Sequence, residues 1–215
     1  MKPLRVRPPD HGALFVVAGP TGAGKSTLVS EAVSRIPGLS FSVSATTRPP
    51  RPGEREGVDY HFIDEPTFVS WIAEDAFLEH AHVYDRRYGT PRRPVEAALS
   101  AGRSILLDVD LAGTRQVRAR VPDAVTIFVL PPDLGTLEKR LLSRGDDPEV
   151  IRRRLVLANE QIAGVGEFDY IIVNDDLEAA RAVFTGIMLA TLHHRARRGS
   201  EISRVLAEIR APRTP

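Results

Sequence analysis

The stretch Gly19-Pro-Thr-Gly-Ala-Gly-Lys-Ser-Thr27 has the form G-x-x-x-x-G-K-[ST], a spacing whose chemistry is the holding of phosphate groups. Glycines at 19, 22 and 24 permit the tight turns that aim successive backbone N–H groups at phosphate oxygens. Lys25 can reach the β- and γ-phosphates, and Ser26 can offer its hydroxyl to Mg²⁺. A helix opening near Lys25 adds the positive end of its dipole. The run Gly19, Pro20, Thr21, Gly22, Ala23, Gly24, Lys25, Ser26 and Thr27 therefore reads as a binding loop for a nucleoside triphosphate. Chance could produce a glycine-rich turn, but here the apolar run Ala13–Ala18 precedes the loop. Leu28, Val29, Ala32, Val33 and Ile36 follow it at helical spacing.

A triphosphate loop names the ligand and not the reaction. Two further groups narrow the chemistry. Arg48 and Arg51 lie three apart among prolines that stiffen the backbone, so both guanidinium forks can converge on one anion. Tyr60 can add a neutral hydroxyl donor, and a solvated basic loop is the competing reading for the pair alone. Asp108 and Asp110 close an apolar run, and strand alternation places them on one face, toward the carboxyl end of the sheet where ligands bind. Asp108 suits a carboxylate linked to Mg²⁺ through water. Asp110 suits hydrogen bonding to a ligand, with capping of the next helix as its alternative. Six histidines show no metal-ligand spacing, and Glu54, Glu56 and Glu65 read as solvated or structural. Glu31, Arg35, Asp146 and Asp147 read as surface charges.

Ser44, Thr46-Thr47-Arg48, Arg51, Gly53-Glu54, Gly57 and Tyr60 together resemble the nucleoside-monophosphate-binding signature of the guanylate kinases. The resemblance runs from about Ala13 to Met188. Phe77-Leu-Glu-His80 resembles the segment whose Glu binds guanine, Tyr88-Gly-Thr-Pro91 the Tyr-Gly-[Ser/Thr] turn, and Leu107-Asp-Val-Asp110 the strand end with two carboxylates. Arg140, Arg144 and Arg154 resemble the lid arginines, and Ile172-Val-Asn174-Asp-Asp-Leu177 the C-terminal strand and turn. His80 stands where Trp or Tyr is common, and Leu111-Ala-Gly113 replaces a more usual Gln-Gly.

The resemblance implies Mg²⁺-dependent transfer of the ATP γ-phosphoryl group to GMP, and to dGMP, with no covalent phospho-enzyme. GMP would be held by Ser44, Arg48, Arg51, Tyr60, Glu79, Tyr88, Thr90 and Asp110. Lys25, Asp108, Arg140, Arg144 and Arg154 would serve the transfer, and Ser26 and Asp108 the metal. Two other readings stay open: a non-catalytic interaction domain of the same family, and a kinase for another phosphorylated acceptor such as a ribose phosphate. Lys25, Ser26 and Asp108 speak against the first. Glu79 and Asp110 beside Ser44 and Thr90 speak against the second.

These residues need elements to position them. The runs Ser104–Asp108, Ala124–Leu130 and Asp169–Val173 are continuously apolar, as in parallel strands covered on both faces. They alternate with helical segments expected over Thr114–Arg120, Leu134–Ser143 and Pro148–Ala163. This order predicts an α/β fold: a doubly wound parallel sheet core of the P-loop NTPase kind. An inserted GMP-binding subdomain over residues 42–101 would carry strands near Asp59–Ile63 and Leu78–Val83 and a helix near Pro66–Glu74. Five arginines between Arg140 and Gln161 predict a mobile helical lid. Residues 1–12 read as an irregular, disordered tail and 191–215 as a terminal amphipathic helix or tail dispensable for chemistry. The kinase-like unit would span 13–190, its core formed by 13–41 and 102–190.

Lys plus Arg total 29 and Asp plus Glu 28, so no global nucleic-acid-binding surface is expected. The chain has no cysteine, which excludes disulfides and thiolate metal sites. No apolar stretch reads as a signal peptide or membrane span, so a cytoplasmic location without membrane partners is expected. The expected partners are small molecules, ATP and GMP, and a homo-oligomer stays open.

Overall fold

The computed structural model describes residues 9–83, 85–143 and 145–210. Along the chain it forms β1 (Leu14–Ala18), α1 (Lys25–Arg35), β2 (Leu39–Phe41), β3 (Ala45–Thr46), β4 (His61–Phe62), α2 (Glu65–Ala73), β5 (Phe77–Val83), β6 (Arg86–Pro91) and α3 (Arg92–Ser100). Then come β7 (Ser104–Asp108), α4 (Leu111–Arg120), β8 (Val125–Leu130), α5 (Leu134–Leu142), α6 (Pro148–Ala163), β9 (Tyr170–Val173), α7 (Leu177–Leu192) and α8 (Gly199–Arg210).

Five strands form a parallel sheet in the order β2-β7-β1-β8-β9. Its central strand β1 is apolar throughout, and β7 and β8 are mostly so, because both faces are covered. Phe15 and Val17 point to one side, packing with Leu28 and Ala32 of α1 and Phe184 and Met188 of α7. Leu14 and Val16 point to the other, with Val95 of α3 and Val117 of α4. The doubly wound parallel sheet is thus present as expected. Since β1 leads through α1 to the edge strand β2 and its two neighbours are β7 and β8, a crevice opens at the carboxyl end of β1.

A second sheet, in the order β4-β3-β6-β5, mixes directions: β3 pairs parallel with β4 and antiparallel with β6, and β6 antiparallel with β5. It has its own small core, in which the Phe68 and Phe77 rings stack with centroids 4.5 Å apart. Leu78, the next residue of β5, turns the other way into the main core. One strand therefore fastens the insert to the parallel sheet.

Sequence periodicity missed β2, β3, β6, α3 and α7 and placed the start of α4 three residues late. Asp110 caps α4 by accepting from the Gly113 N–H (2.7 Å), so the helix begins at Leu111. Leu111, the departure from the family pattern, packs in a small cluster with Phe128 and Phe168.

Residues 9–12 form no helix or strand but are tied down. Pro9 is buried, Asp10 N–H donates to the Arg197 carbonyl (3.0 Å), and Gly12 N–H donates to that of Leu99 (2.9 Å). Residues 1–8 and 211–215 of the two expected tails lie outside the described residues, as does Arg144. Among the described residues no helix is long and apolar enough to cross a membrane.

Candidate active site at the carboxyl end of β1

Gly19, Gly22 and Gly24 have φ of 137°, 95° and 100°, a region that side-chain-bearing residues rarely adopt. Space forbids a side chain as well: a Cβ at Gly19 would lie 2.2 Å from the Val129 carbonyl oxygen, and one at Gly24 would lie 2.2 Å from Asn174 Nδ2. The loop is held from outside by Asn174, buried just past β9, whose Nδ2 donates to the Ala23 carbonyl (2.7 Å). Nothing in the spacing around Asn174 announces that contact, because the partners are 151 residues apart. Lys25 Nζ donates to the Gly19 carbonyl (2.6 Å) and stands 3.8 Å from Asp108 Oδ1 at the end of β7. Crowding by protein raises the Asp108 pKa above its ordinary value, and the Lys25 charge pulls it back. About a third of the Asp108 side chain (34%) still meets solvent, which screens its charge.

A cleft of about 490 Å³ extends from this loop and is lined by Gly19, Thr21, Lys25, Ser44, Arg48, Arg51, Tyr60, Glu79, Tyr88, Asp108 and Asp110. On its far wall Arg48 makes a forked pair with Glu54, Nη1 to Oε2 at 2.9 Å and Nη2 to Oε1 at 2.8 Å. Glu54 also accepts from the Arg51 backbone N–H (2.7 Å), which draws the two arginines together and, through the Arg48 bond first, lowers the Glu54 pKa. The Arg48 guanidinium lies 5.4 Å from the Tyr60 ring centroid, and Tyr60 meets Tyr88 edge-on at 6.1 Å. Burial raises the Tyr60 pKa and so keeps its hydroxyl a neutral donor. Two guanidinium groups and two phenol hydroxyls thus share one wall, donors of the kind that suit an oxyanion, with the Arg48 fork engaged by Glu54.

The side wall is acidic. Glu79 is 5% exposed and accepts a hydrogen bond from Thr90 Oγ1 at 2.6 Å. Burial raises its pKa, the nearby Asp110 charge adds to this, and the Thr90 bond opposes it. A bulge between Phe77 and Glu79 sets this carboxyl beside Thr90. Asp110 lines the cleft and caps α4 at once, so the two readings of this residue coexist. Its placement does not come from strand alternation, because β7 ends at Asp108. Two carboxylates fit a ligand edge rich in N–H donors.

Of the expected lid arginines, Arg140 and Arg154 stand apart from this cleft. Arg140 Nη2 donates to the Asn174 carbonyl (2.9 Å) and lines a separate hollow of about 310 Å³ with Gly22, Gly24 and Thr27. Arg154 pairs with Asp146, which is therefore more than a surface charge. Asp147 caps α6 by accepting from the Glu149 N–H (2.8 Å), and Glu31 joins Arg35 and Arg181 across α1 and α7. Ser26 opens α1 with its side chain exposed. Sequence reasoning missed Gln161, which lines the cleft from α6. A larger hollow of about 650 Å³ is lined by the insert alone, between Trp71 and Arg92, but the Arg92 guanidinium there is already paired with Asp75 and Glu96.

The guanylate kinase family model matches residues 11–190. A guanylate kinase of Bradyrhizobium diazoefficiens is 50% identical over 190 residues, 87% of either chain. One of Thermus thermophilus is 47% identical over 197 residues, 91% of this chain and 89% of the relative. The crystal structure of a guanylate kinase from Anaplasma phagocytophilum superposes with a TM-score of 0.74 at 30% identity, covering 97% of this chain and all of that one. With a triphosphate loop, an arginine clamp and an acidic wall meeting in one cleft, the chain belongs to the guanylate kinase family.

Proposed function

We infer that this protein transfers the γ-phosphoryl group of ATP to GMP, giving ADP and GDP. The observation that carries the reading is the single cleft that joins the phosphate loop to an arginine clamp and a carboxylate pair. ATP would lie with its phosphates over residues 19–27, and GMP with its phosphate on Arg48, Arg51, Tyr60 and Tyr88. Its guanine would face Glu79 and Asp110, which accept from N1–H and the 2-amino group, while Ser44 donates to O6 and Thr90, whose one hydroxyl proton goes to Glu79, holds that carboxylate in place. Adenine presents a donor where guanine has O6 and lacks the 2-amino group, so AMP would leave both carboxylates unpaired.

Phosphoryl transfer requires alignment and charge neutralisation rather than a covalent intermediate. Lys25 contributes a fixed positive charge at the β/γ-phosphates. Arg140, Arg144 and Arg154 would add theirs as the lid excludes water. The donor set near the loop fits Mg²⁺: a hydroxyl at Ser26, a carboxylate at Asp108, and among the described residues no cluster of three protein ligands. Mg²⁺ characteristically takes one or two protein oxygens and completes its shell with phosphates and water. Bound there, it would neutralise charge on the migrating group.

A panel of GMP, dGMP, AMP, UMP and ribose phosphates with ATP, followed by ADP release, tests the assignment. GMP should exceed AMP in kcat/KM by several decades, since a site built to hydrogen-bond a group can reject an analogue lacking it by roughly 10⁴ to 10⁵. Equal efficiencies would refute it. Residues 13–190 are proposed as the catalytic unit, with 42–101 as its acceptor-binding insert and 140–161 as its lid.

A further inference from the structure

Glu79 lies on β5 of the insert sheet and Asp110 at the cap of α4, and one side of α4 ties them together. Gln116 forms a closed pair with the backbone of His80: its Nε2 donates to the His80 carbonyl (3.0 Å), and its Oε1 accepts from the His80 N–H (3.1 Å). β5 is the outer strand of the insert sheet, bonded only to β6. The side-chain amide thus serves as a neighbouring strand would, at the residue next to Glu79. One turn earlier on α4, a Cβ at Gly113 would lie 2.9 Å from Glu79 Oε2 and 3.3 Å from Asp110 Oδ1. Gly113 is not among the residues with positive φ, so its backbone conformation makes no demand for glycine. In a helix alanine is favoured over glycine by about 1 kcal/mol, so α4 alone would select alanine here. That Cβ would also lie 3.1 Å from Val109 Cβ, and this contact together with the two carboxylates supplies the opposing demand for space.

We propose that Gly113 and Gln116 are positioning residues that set the preference for guanine, Gln116 by clamping the backbone beside Glu79 and Gly113 by leaving room for its carboxylate against Asp110. The proposal rests on GMP being the acceptor. Neither residue touches the base. A displacement of Glu79 along the cleft would weaken the bonds to N1–H and the 2-amino group and leave the triphosphate loop unaffected.

The test compares GMP with IMP, which lacks only the 2-amino group, in steady-state kinetics at saturating ATP. Gln116→Leu keeps the bulk and removes both bonds. It should raise KM for GMP by roughly ten-fold and lower the GMP:IMP ratio of kcat/KM by a similar factor. KM for ATP and kcat should hold within about two-fold. Gly113→Ala should narrow the same ratio while the melting temperature stays level or rises, and it carries the test alone if Gln116→Leu does not fold. Variants that lose melting temperature or kcat with the GMP:IMP ratio intact would show packing alone and overturn the proposal. A native protein that phosphorylates GMP no better than AMP or UMP would refute the assigned function itself, whatever the variants do.

Discussion

Glu79→Gln should make the protein more stable and less selective at the same time. Glu79 is buried, and its carboxylate is disfavoured first by loss of water and then by the charge of Asp110, so its pKa in the folded state lies above the ordinary value. A carboxyl with a raised folded-state pKa favours folding while protonated and loses that contribution as pH rises through the folded value. Above the ordinary carboxylate range the native protein therefore bears a cost, of burying the charge or of neutralising it, that glutamine lacks. Gln Oε1 can still accept from Thr90 Oγ1, now at 2.6 Å from Glu79, so no partner is orphaned. The variant should melt above the native protein at pH 8, and the gap should close as pH falls through the raised pKa toward the ordinary carboxylate range. GMP should suffer, because a charge-assisted hydrogen bond is worth about 1.5 to 3 kcal/mol, or one to two decades of kcat/KM. AMP, which makes no such bond, should change little. Scanning fluorimetry at pH 8 and pH 5 with kcat/KM for both nucleotides reads all of this. A variant less stable at pH 8 with GMP efficiency unchanged would refute the reasoning.

Lys25→Ala should fold normally and lose roughly 10² to 10³ in kcat with GMP affinity largely kept, since Lys25 supplies charge to the transfer and not to the acceptor; near-native GDP formation would remove it from that role. Arg51→Ala should weaken GMP binding by roughly one to two decades in calorimetry, as loss of one ionic hydrogen bond requires. Arg48→Ala should do more, because it also releases Glu54 and the face of Tyr60. Truncation after Leu192 should leave kcat intact but lower the melting temperature by on the order of 5–15 °C, from several hydrogen bonds of about 1 kcal/mol each. The bonds at stake run from Arg197 to Gly12 and Asp123, from Ser200 to Asp10, and from buried Arg198 to the Leu192 carbonyl. A truncated protein that melts normally but has no turnover would reverse that reading.

What the sequence made legible was whatever a short run of residues determines. β7 was expected over Ser104–Asp108 and α6 over Pro148–Ala163, and both have those bounds, because an unbroken apolar run and an Asp-Pro-Glu start are local signals. β3 has two residues and exists only through its pairing with β4 and β6, so no periodicity could announce it, whereas β4 falls inside the strand expected near Asp59–Ile63. α3 opens on Arg-Arg-Pro with no side-chain cap and was passed over for that reason. The site shows the same division. The phosphate loop and the Arg48–Arg51 spacing are local and were legible. Asn174 behind the loop and Gln161 on the lid contact the site only through the fold, and nothing near them in sequence distinguishes them from ordinary polar residues.

Those fold-dependent contacts also bear on how the proposed lid could close at little energetic cost. Leu137 and Leu141 of α5 pack with Ile151 and Ala158 of α6 in a cluster separate from the main core. Ile162 near the end of α6 packs with Ala18 of β1 and Phe128, so a hinge before that residue would be required for any shift of the α5–α6 pair. Its arginines are already engaged, Arg140 with the Asn174 carbonyl and Arg154 with Asp146, so moving onto phosphate exchanges one oxygen partner for another. A group exchanged between partners gains only the difference between them, whereas a group held bare would collapse onto the first anion to enter. Arg140 keeps one buried nitrogen, Nη1, without a partner among the described residues, and this asymmetry favours the exchange. Closure then depends on the triphosphate offering those arginines more charge than a carbonyl or a lone carboxylate does, which ties exclusion of water to occupancy of the loop.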